Sequence, residues 1–225
     1  MTSFDFPPDG GTQPLYGVYP ALVTDVVDPD NLGRIQVSLP WLGGASGGGD
    51  SVRAWATLLT PYADDNQGYE MLPAVGSQVV VAFEAGNPRR PYIVGACWNG
   101  KEALPEAPTA ANDKRLIRTR AGSLLEFDDT EAAPKVTVST RSGHKVVLDD
   151  GGQTVTITHS GGSSITFTAA GVIEIRANLT VDVYASAVNV HAPMATFDGV
   201  VKCQTLIAEV GVVSPSYTPG AGNVW

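Results

Sequence analysis

The sequence predicts an all-β protein in two parts: a small five-stranded barrel, then an elongated β-helix completed by other copies of the chain. Three observations lead there. Short runs of alternating apolar and polar residues, separated by Gly, Pro, Asn and Asp, fill the first hundred positions. Strand-like units then recur about every twenty residues. Finally, helix formers never gather into an amphipathic run, and only 16% of the 225 residues are charged, well below the usual quarter.

The first part begins at Tyr16. "YPALVTDVVDPDNLGRIQVSLPWL" sets a turn at Asp28-Pro29-Asp30-Asn31, then a run with Ile35, Val37 and Leu39 on one face. "VRAWATLL" alternates again, with Val52, Ala54, Ala56 and Leu58 on one side. "QVVVAFE" is continuously apolar, as for a strand buried on both faces or at a barrel closure. "RPYIVGACW" follows the turn Gly86-Asn87-Pro88, and one longer loop runs from Pro61 to Gly76. Five strands with tight connections fit a Greek-key barrel of the OB type. Trp98, at the end of the last strand, is expected to cover the barrel. The domain is expected to span 16–100, after an N-terminal extension of 1–15 and before a linker of 101–114.

OB barrels often bind single-stranded nucleic acid, which requires a basic groove with exposed aromatics. A net charge of −9 speaks against that partner. "GGASGGGD" (Gly43 to Asp50) lacks the Gly-Lys-Ser/Thr ending and following helix of a phosphate-binding loop, and reads as a connector.

The second part repeats. "GSLLEFDD" at Gly122, "GHKVVLDD" at Gly143 and "GSSITFTA" at Gly162 start 21 and 19 residues apart. Each is followed by a second strand: "KVTVST" at Lys135, "TVTITH" at Thr154 and "VIEIRA" at Val172. Such a period points to a solenoid or β-helix. One face of each strand carries only two or three apolar residues: Leu125 and Phe127, Val136 and Val138, Val155 and Ile157, Ile165 and Phe167, Ile173 and Ile175. The opposite face is Thr, Ser, Lys and Glu.

So thin a face cannot form a core alone. Three copies around one axis would bury it, and would also remove exposed strand edges. The apolar stripe continues from Ile173 to Val183, shifts phase, and resumes at Val188 and Val190. Roughly ten strands at about 4.8 Å per layer would make a shaft on the order of 50 Å. The β-helix is expected over 115–213, with a Pro- and Gly-rich tip segment at 214–225.

The case for an enzyme is weak. No Ser-His-Asp spacing, zinc-type cluster or Gly-x-Ser-x-Gly elbow occurs. Asp128–Asp129 and Asp149–Asp150 hold equivalent places in the repeat and read as turn residues. Cys97 and Cys203 read as buried small residues. His144, His159 and His191 stand apart and none forms His-x-His, so neither metal nor cofactor is expected. No 18-residue apolar stretch exists, and the start "MTSFDFPPDGG" lacks a secretory signal pattern.

"NLGRIQVSLPW", "ATLLTPYA", "GYEMLPAVGSQVVVAFEAGNPRRPYIVGACWNG" and "RLIRTRAGSLLEFDD", in this order, resemble the spike proteins of contractile injection machines. That family includes phage baseplate assembly protein V and the valine-glycine-repeat spikes of type VI secretion. The resemblance covers Tyr16 to about Asp150 in motif detail. It implies an OB barrel beneath a tail tube and a homotrimeric β-helix that is driven through the target cell envelope on sheath contraction. It implies a virion or injection-particle location, assembly in the cytoplasm and no nucleic-acid partner.

Arg89, Arg90 and Trp98 are then candidates for contact with a neighbouring chain or a separate hub protein. The latter is expected because only about fifteen residues precede the barrel. Tyr217 and Trp225 are tip candidates, in a self-sealed cap or a platform for a separate PAAR-like tip protein. Many short phage spikes hold iron at the tip through His-x-His, which this chain lacks. The alternative reading is a β-helical tailspike that binds or cleaves surface polysaccharide. It requires an exposed carboxylate or aromatic groove, whereas Phe127 and Phe167 sit in core phase.

Overall fold

Alternation in the first hundred residues produces strands that each send every second side chain inward. In the computed structural model, which describes residues 14–42 and 51–214, β1 (Val18–Asp25), β2 (Arg34–Leu39) and β3 (Val52–Leu58) form an antiparallel meander. The long loop predicted over 61–76 contains a small hairpin, β4 (Ala63–Asp64) and β5 (Gln67–Gly68), that the sequence did not announce. β6 (Gln78–Phe83) and β7 (Pro91–Ala96) complete a closed barrel in the order β1-β2-β3-β7-β6. β1 pairs with β2 along one edge and β6 along the other. Closure is parallel, between β3 and β7, through only Thr57↔Tyr92 and Leu58↔Ile93. This is the five-stranded OB topology.

Ala21, Val23, Ile35, Val37, Leu39, Val79, Val81 and Ile93 fill the barrel, each at most 2% exposed. Burying a Val or Ile side chain contributes about 1.5–3 kcal/mol, so this alternation drives closure. β6 is paired on both edges, but its outward Val80 and Ala82 stay half-buried, so only its Val79-Val81-Phe83 face is core. The aromatic cover is Trp41, not Trp98. Trp41 stacks on Tyr19 with centroids 4.5 Å apart, meets Phe83 edge-on at 6.2 Å, and donates its indole N–H to Pro20 O at 2.7 Å. Trp98 is 62% exposed, because β7 ends at Ala96 and carries its side chain past the core.

Position also corrects the cysteine expectation: Cys97 and Cys203 are both exposed. Cys97 lies one residue beyond β7, where its sulfur meets the Gln78 amide at 3.6 Å, and Cys203 lies in a segment with no strand packing.

The repeats form a second sheet from β8 (Lys114–Arg118), β9 (Leu124–Asp128), β10 (Lys135–Ser139), β11 (Lys145–Asp149), β12 (Thr154–Thr158), β13 (Ser164–Phe167) and β14 (Ile173–Arg176). Each strand is antiparallel to the one before it, so spatial order is sequence order. The glycine that opens each repeat has a specific task. In the turns starting at Thr119, Thr140, His159 and Thr168, the first residue's N–H donates to the carbonyl four residues on, and the glycine N–H donates back to the first residue's carbonyl. Gly122, Gly143, Gly162 and Gly171 take φ of 89°, 95°, 95° and 74° there. A type I turn closed by a left-handed residue is the three-residue hairpin connection, and glycine meets it without strain.

Strand pairing ends at Arg176, earlier than the expected ten strands. From Ala177 to Ser214 no residue lies in a strand and every residue is exposed, although the apolar alternation persists. A strand exists by virtue of a hydrogen-bonded neighbour, and none of the described residues past β14 pairs with one. The described chain divides at this same point into two units, after Arg176.

Candidate assembly interface

The register of the ladder sorts its side chains onto two unlike faces. Phe127, Val136, Leu148, Val155, Phe167 and Ile173 stand opposite one another, strand by strand, in one row. Ile117, Leu125, Val138, Val146, Ile157, Ile165 and Ile175 make a second row on the same face. One polar residue shares it, Arg115 at the β8 end, where its guanidinium is drawn to Asp129 at 2.6 Å. All the apolar pairs read from the sequence therefore lie on this face. Among the described residues nothing fully covers it: Phe127, Val138, Leu148, Ile157 and Phe167 remain 42–48% exposed. A contiguous apolar surface of this extent marks an interaction site.

The opposite face is polar, and its outer row alternates in charge: Lys114, Asp128, Lys135 and Asp149 are successive cross-strand neighbours. Hydrogen bonds from Thr130 hold the Asp128 carboxyl below its usual range, assisted by Lys114 and Lys135. Glu106, and then Glu126, raise Lys114. A one-residue slip would break these opposite-charge pairs and exchange the two faces, so both sides of the sheet specify one register.

The acidic pairs at the turns have local partners. Asp128 accepts the Thr130 N–H at 3.1 Å, Asp129 holds Arg115, and Asp149 accepts the Gly152 N–H at 2.8 Å. At the other end, His144 and His159 meet with ring centroids 4.5 Å apart. Sequence reasoning kept these histidines separate, since fourteen residues lie between them, but they flank the Lys145↔Thr158 pair and so become neighbours. Each Nδ1 accepts a backbone N–H, from Ser160 at 3.3 Å and Gly161 at 3.0 Å. The pair is thus occupied in shaping a turn. Among the described residues, no three His, Cys, Asp or Glu side chains converge.

On the barrel, Arg90 reaches Glu84 at 3.2 Å, and the Arg89 N–H donates to Asn87 Oδ1 at 3.0 Å, so both belong to the β6–β7 turn. Trp98 borders a separate shallow hollow with Gln78 and Cys97. The candidates are not gathered into one site. Tyr217 and Trp225 lie outside the described residues. A cleft of about 560 Å³ opens between the β4–β5 hairpin and the barrel mouth, among Tyr62, Asp64, Tyr69 and Glu70. The cation that lines it, Arg34, is committed to Asp28 and Asp30.

An OB barrel followed by a ladder with an open apolar face is the architecture of a protein that associates through that ladder, and two family models match it. Residues 19–98 match the type VI secretion system/phage-baseplate injector OB domain, and residues 135–196 match the phage baseplate V C-terminal trimerisation domain. The chain belongs to the phage baseplate V family of spike proteins.

Among its relatives, the type VI secretion system spike protein VgrG3 of Vibrio cholerae is 27% identical over 112 residues, 48% of this chain and 11% of that protein. The spike protein VgrG1a of Pseudomonas aeruginosa is 30% identical over 109 residues, 47% of this chain and 17% of that protein. The actin cross-linking toxin VgrG1 of Vibrio cholerae is 26% identical over 114 residues, 48% of this chain and 10% of that protein. The shared region is thus between a tenth and a sixth of those relatives' length.

Proposed function

We propose that three copies of this chain form the non-enzymatic spike of a contractile tail or injection-machine baseplate, and that sheath contraction drives this spike through a target cell envelope. The observation that carries the reading is the two-row apolar face of β8–β14, complete in register and half in water in a single chain. Three such faces turned toward one axis give the core that one sheet lacks. The work of the assembly is mechanical: a rod of closely joined strands passes force because local rupture must part three chains together.

In this reading 16–100 is the docking domain and 115–213 the spike shaft. Residues 1–15 and the Arg89, Arg90 and Trp98 surfaces meet a separate hub protein beneath the tail tube. Residues 214–225, with Tyr217 and Trp225, form the tip or seat a separate tip protein. The assembled spike is a component of the particle.

Light scattering of the purified chain over a hundredfold dilution tests this. The mass of three chains, unchanged on dilution, is the expected result. A stable single chain overturns the spike reading, because the apolar face would then be open in the working protein.

A further inference from the structure

Both parts of the second domain are incomplete in one chain, but in different ways. Strands β8–β14 find their hydrogen-bonding partners within the chain, so the ladder is folded and in register before any second copy arrives. Its apolar face and the outer edges of its two end strands, β8 and β14, are left unsatisfied. From Ala177 to Ser214 no residue lies in a strand, while the apolar load continues: Leu179, Tyr184, Val200 and Ile207 are 85–96% exposed. The trimerisation-domain match, 135–196, crosses that boundary and takes in part of each segment. From Ala177 to Ser214 the charged residues are only Asp182, Asp198, Lys202 and Glu209, so identical copies can lie side by side with little like-charge repulsion.

We propose that the two segments divide the work of assembly between them. The β8–β14 face is a preformed nucleus on which two further copies of this chain dock. Residues 177–214 then gain strand pairing only between chains, as a consequence of that docking. This rests on the homotrimeric reading above.

Preordered sheets lose little conformational freedom when they meet, so docking by the ladder is the cheaper first step. A segment without intrachain strand pairing must lose much of its backbone freedom at the moment it associates. That becomes favourable once docked ladders hold three such segments at high effective concentration. Dependence is therefore one-way: the distal segment needs the ladder, and the ladder does not need the distal segment.

Two variants of the full-length chain test this, each read by solution mass and backbone hydrogen exchange. Ile157→Lys places a charge on the ladder face at a side chain already 44% exposed, which keeps the intrachain cost low. Leu148→Gln repeats the test on the adjacent strand. Val183→Lys combined with Val190→Lys alters the distal segment. In the wild-type trimer, amides in 177–214 should be protected.

Ile157→Lys and Leu148→Gln should give single chains that keep β8–β14 protection and lose at least tenfold protection across 177–214. The distal double variant should stay at the mass of three chains with its ladder protected. A monomeric distal variant overturns the proposal, as does a ladder variant that stays trimeric with 177–214 protected. A monomeric wild type instead overturns the homotrimeric reading itself.

Discussion

The Asp28 carboxylate is bound at both oxygens by the Arg34 guanidinium, from Nε at 2.9 Å and from Nη2 at 2.8 Å. The same carboxylate accepts the backbone N–H groups of Asp30, Leu32 and Arg34 at 3.0–3.1 Å. One acidic side chain thereby shapes the whole β1–β2 connection, including Asn31 at φ 54°.

The Arg34 contact, with these backbone donors, holds the Asp28 carboxyl far below the ordinary carboxylate range. A depressed folded value means that the stabilisation is complete above the unfolded value, about 4, and lost as pH falls beneath it. Asp28→Asn should lower the barrel's melting temperature by several degrees at pH 7. The gap to wild type should narrow as the pH is taken below about 4. Thermal melts from pH 7 to pH 3 measure both.

Gly151 sits against the preceding turn so tightly that an added Cβ would lie 2.8 Å from Ala133 Cα and 3.0 Å from Ala132 O. Both obstacles are backbone, so the turns must part. Gly151→Ala should destabilise the ladder by about 1–3 kcal/mol. Gly95→Ala on the barrel strand β7, where a Cβ meets nothing within 4 Å, serves as the neutral comparison for the ladder. Urea unfolding followed at the ladder separates the two.

Lys135 stands between Asp128 and Asp149 in the alternating row. Lys135→Glu would put three acids side by side. The ladder's urea midpoint should fall, more at low salt than at 0.5 M salt, where charges are screened over about 4 Å. Adding Asp149→Lys to Lys135→Glu should recover part of the loss. An unchanged midpoint in the single variant would mean that the charge row does not help set the register.

Arg89, Arg90 and Trp98 are outside the barrel core. If they meet a hub, the Arg89→Ala, Arg90→Ala, Trp98→Ala triple variant should keep its mass and melting temperature yet enter particles at least tenfold less often. Complementing a deletion strain and counting contractile particles by electron microscopy gives that ratio. Normal incorporation would remove these residues from the docking surface.

Much of this was legible because it depends on local pattern. Alternation marked the barrel strands, and Gly122, Gly143 and Gly162 marked hairpins through the left-handed conformation that their turns demand. The ladder's apolar face could be read as pairs such as Leu125 with Phe127, since side-chain period alone assigns a face. What stayed hidden depends on juxtaposition. Trp41 and Trp98 are both tryptophans at strand ends, and only barrel closure brings the first over Tyr19 and Phe83. His144 and His159 become neighbours through register, and Asp28 looked like any turn acid until Arg34 folded back onto it. The alternation after Arg176 promised strands, but alternation names a face and cannot supply a partner edge.

The serial order of β8–β14 also bears on how the protein is made. The barrel cannot close until β6 and β7 exist, because β1 waits for β6 and β3 waits for β7. Each ladder strand needs only the strand synthesised just before it. Contacts so local form quickly, so the ladder can fold hairpin by hairpin while the ribosome is still working. Neighbouring nascent chains on one message would then present finished apolar faces to one another before either is released.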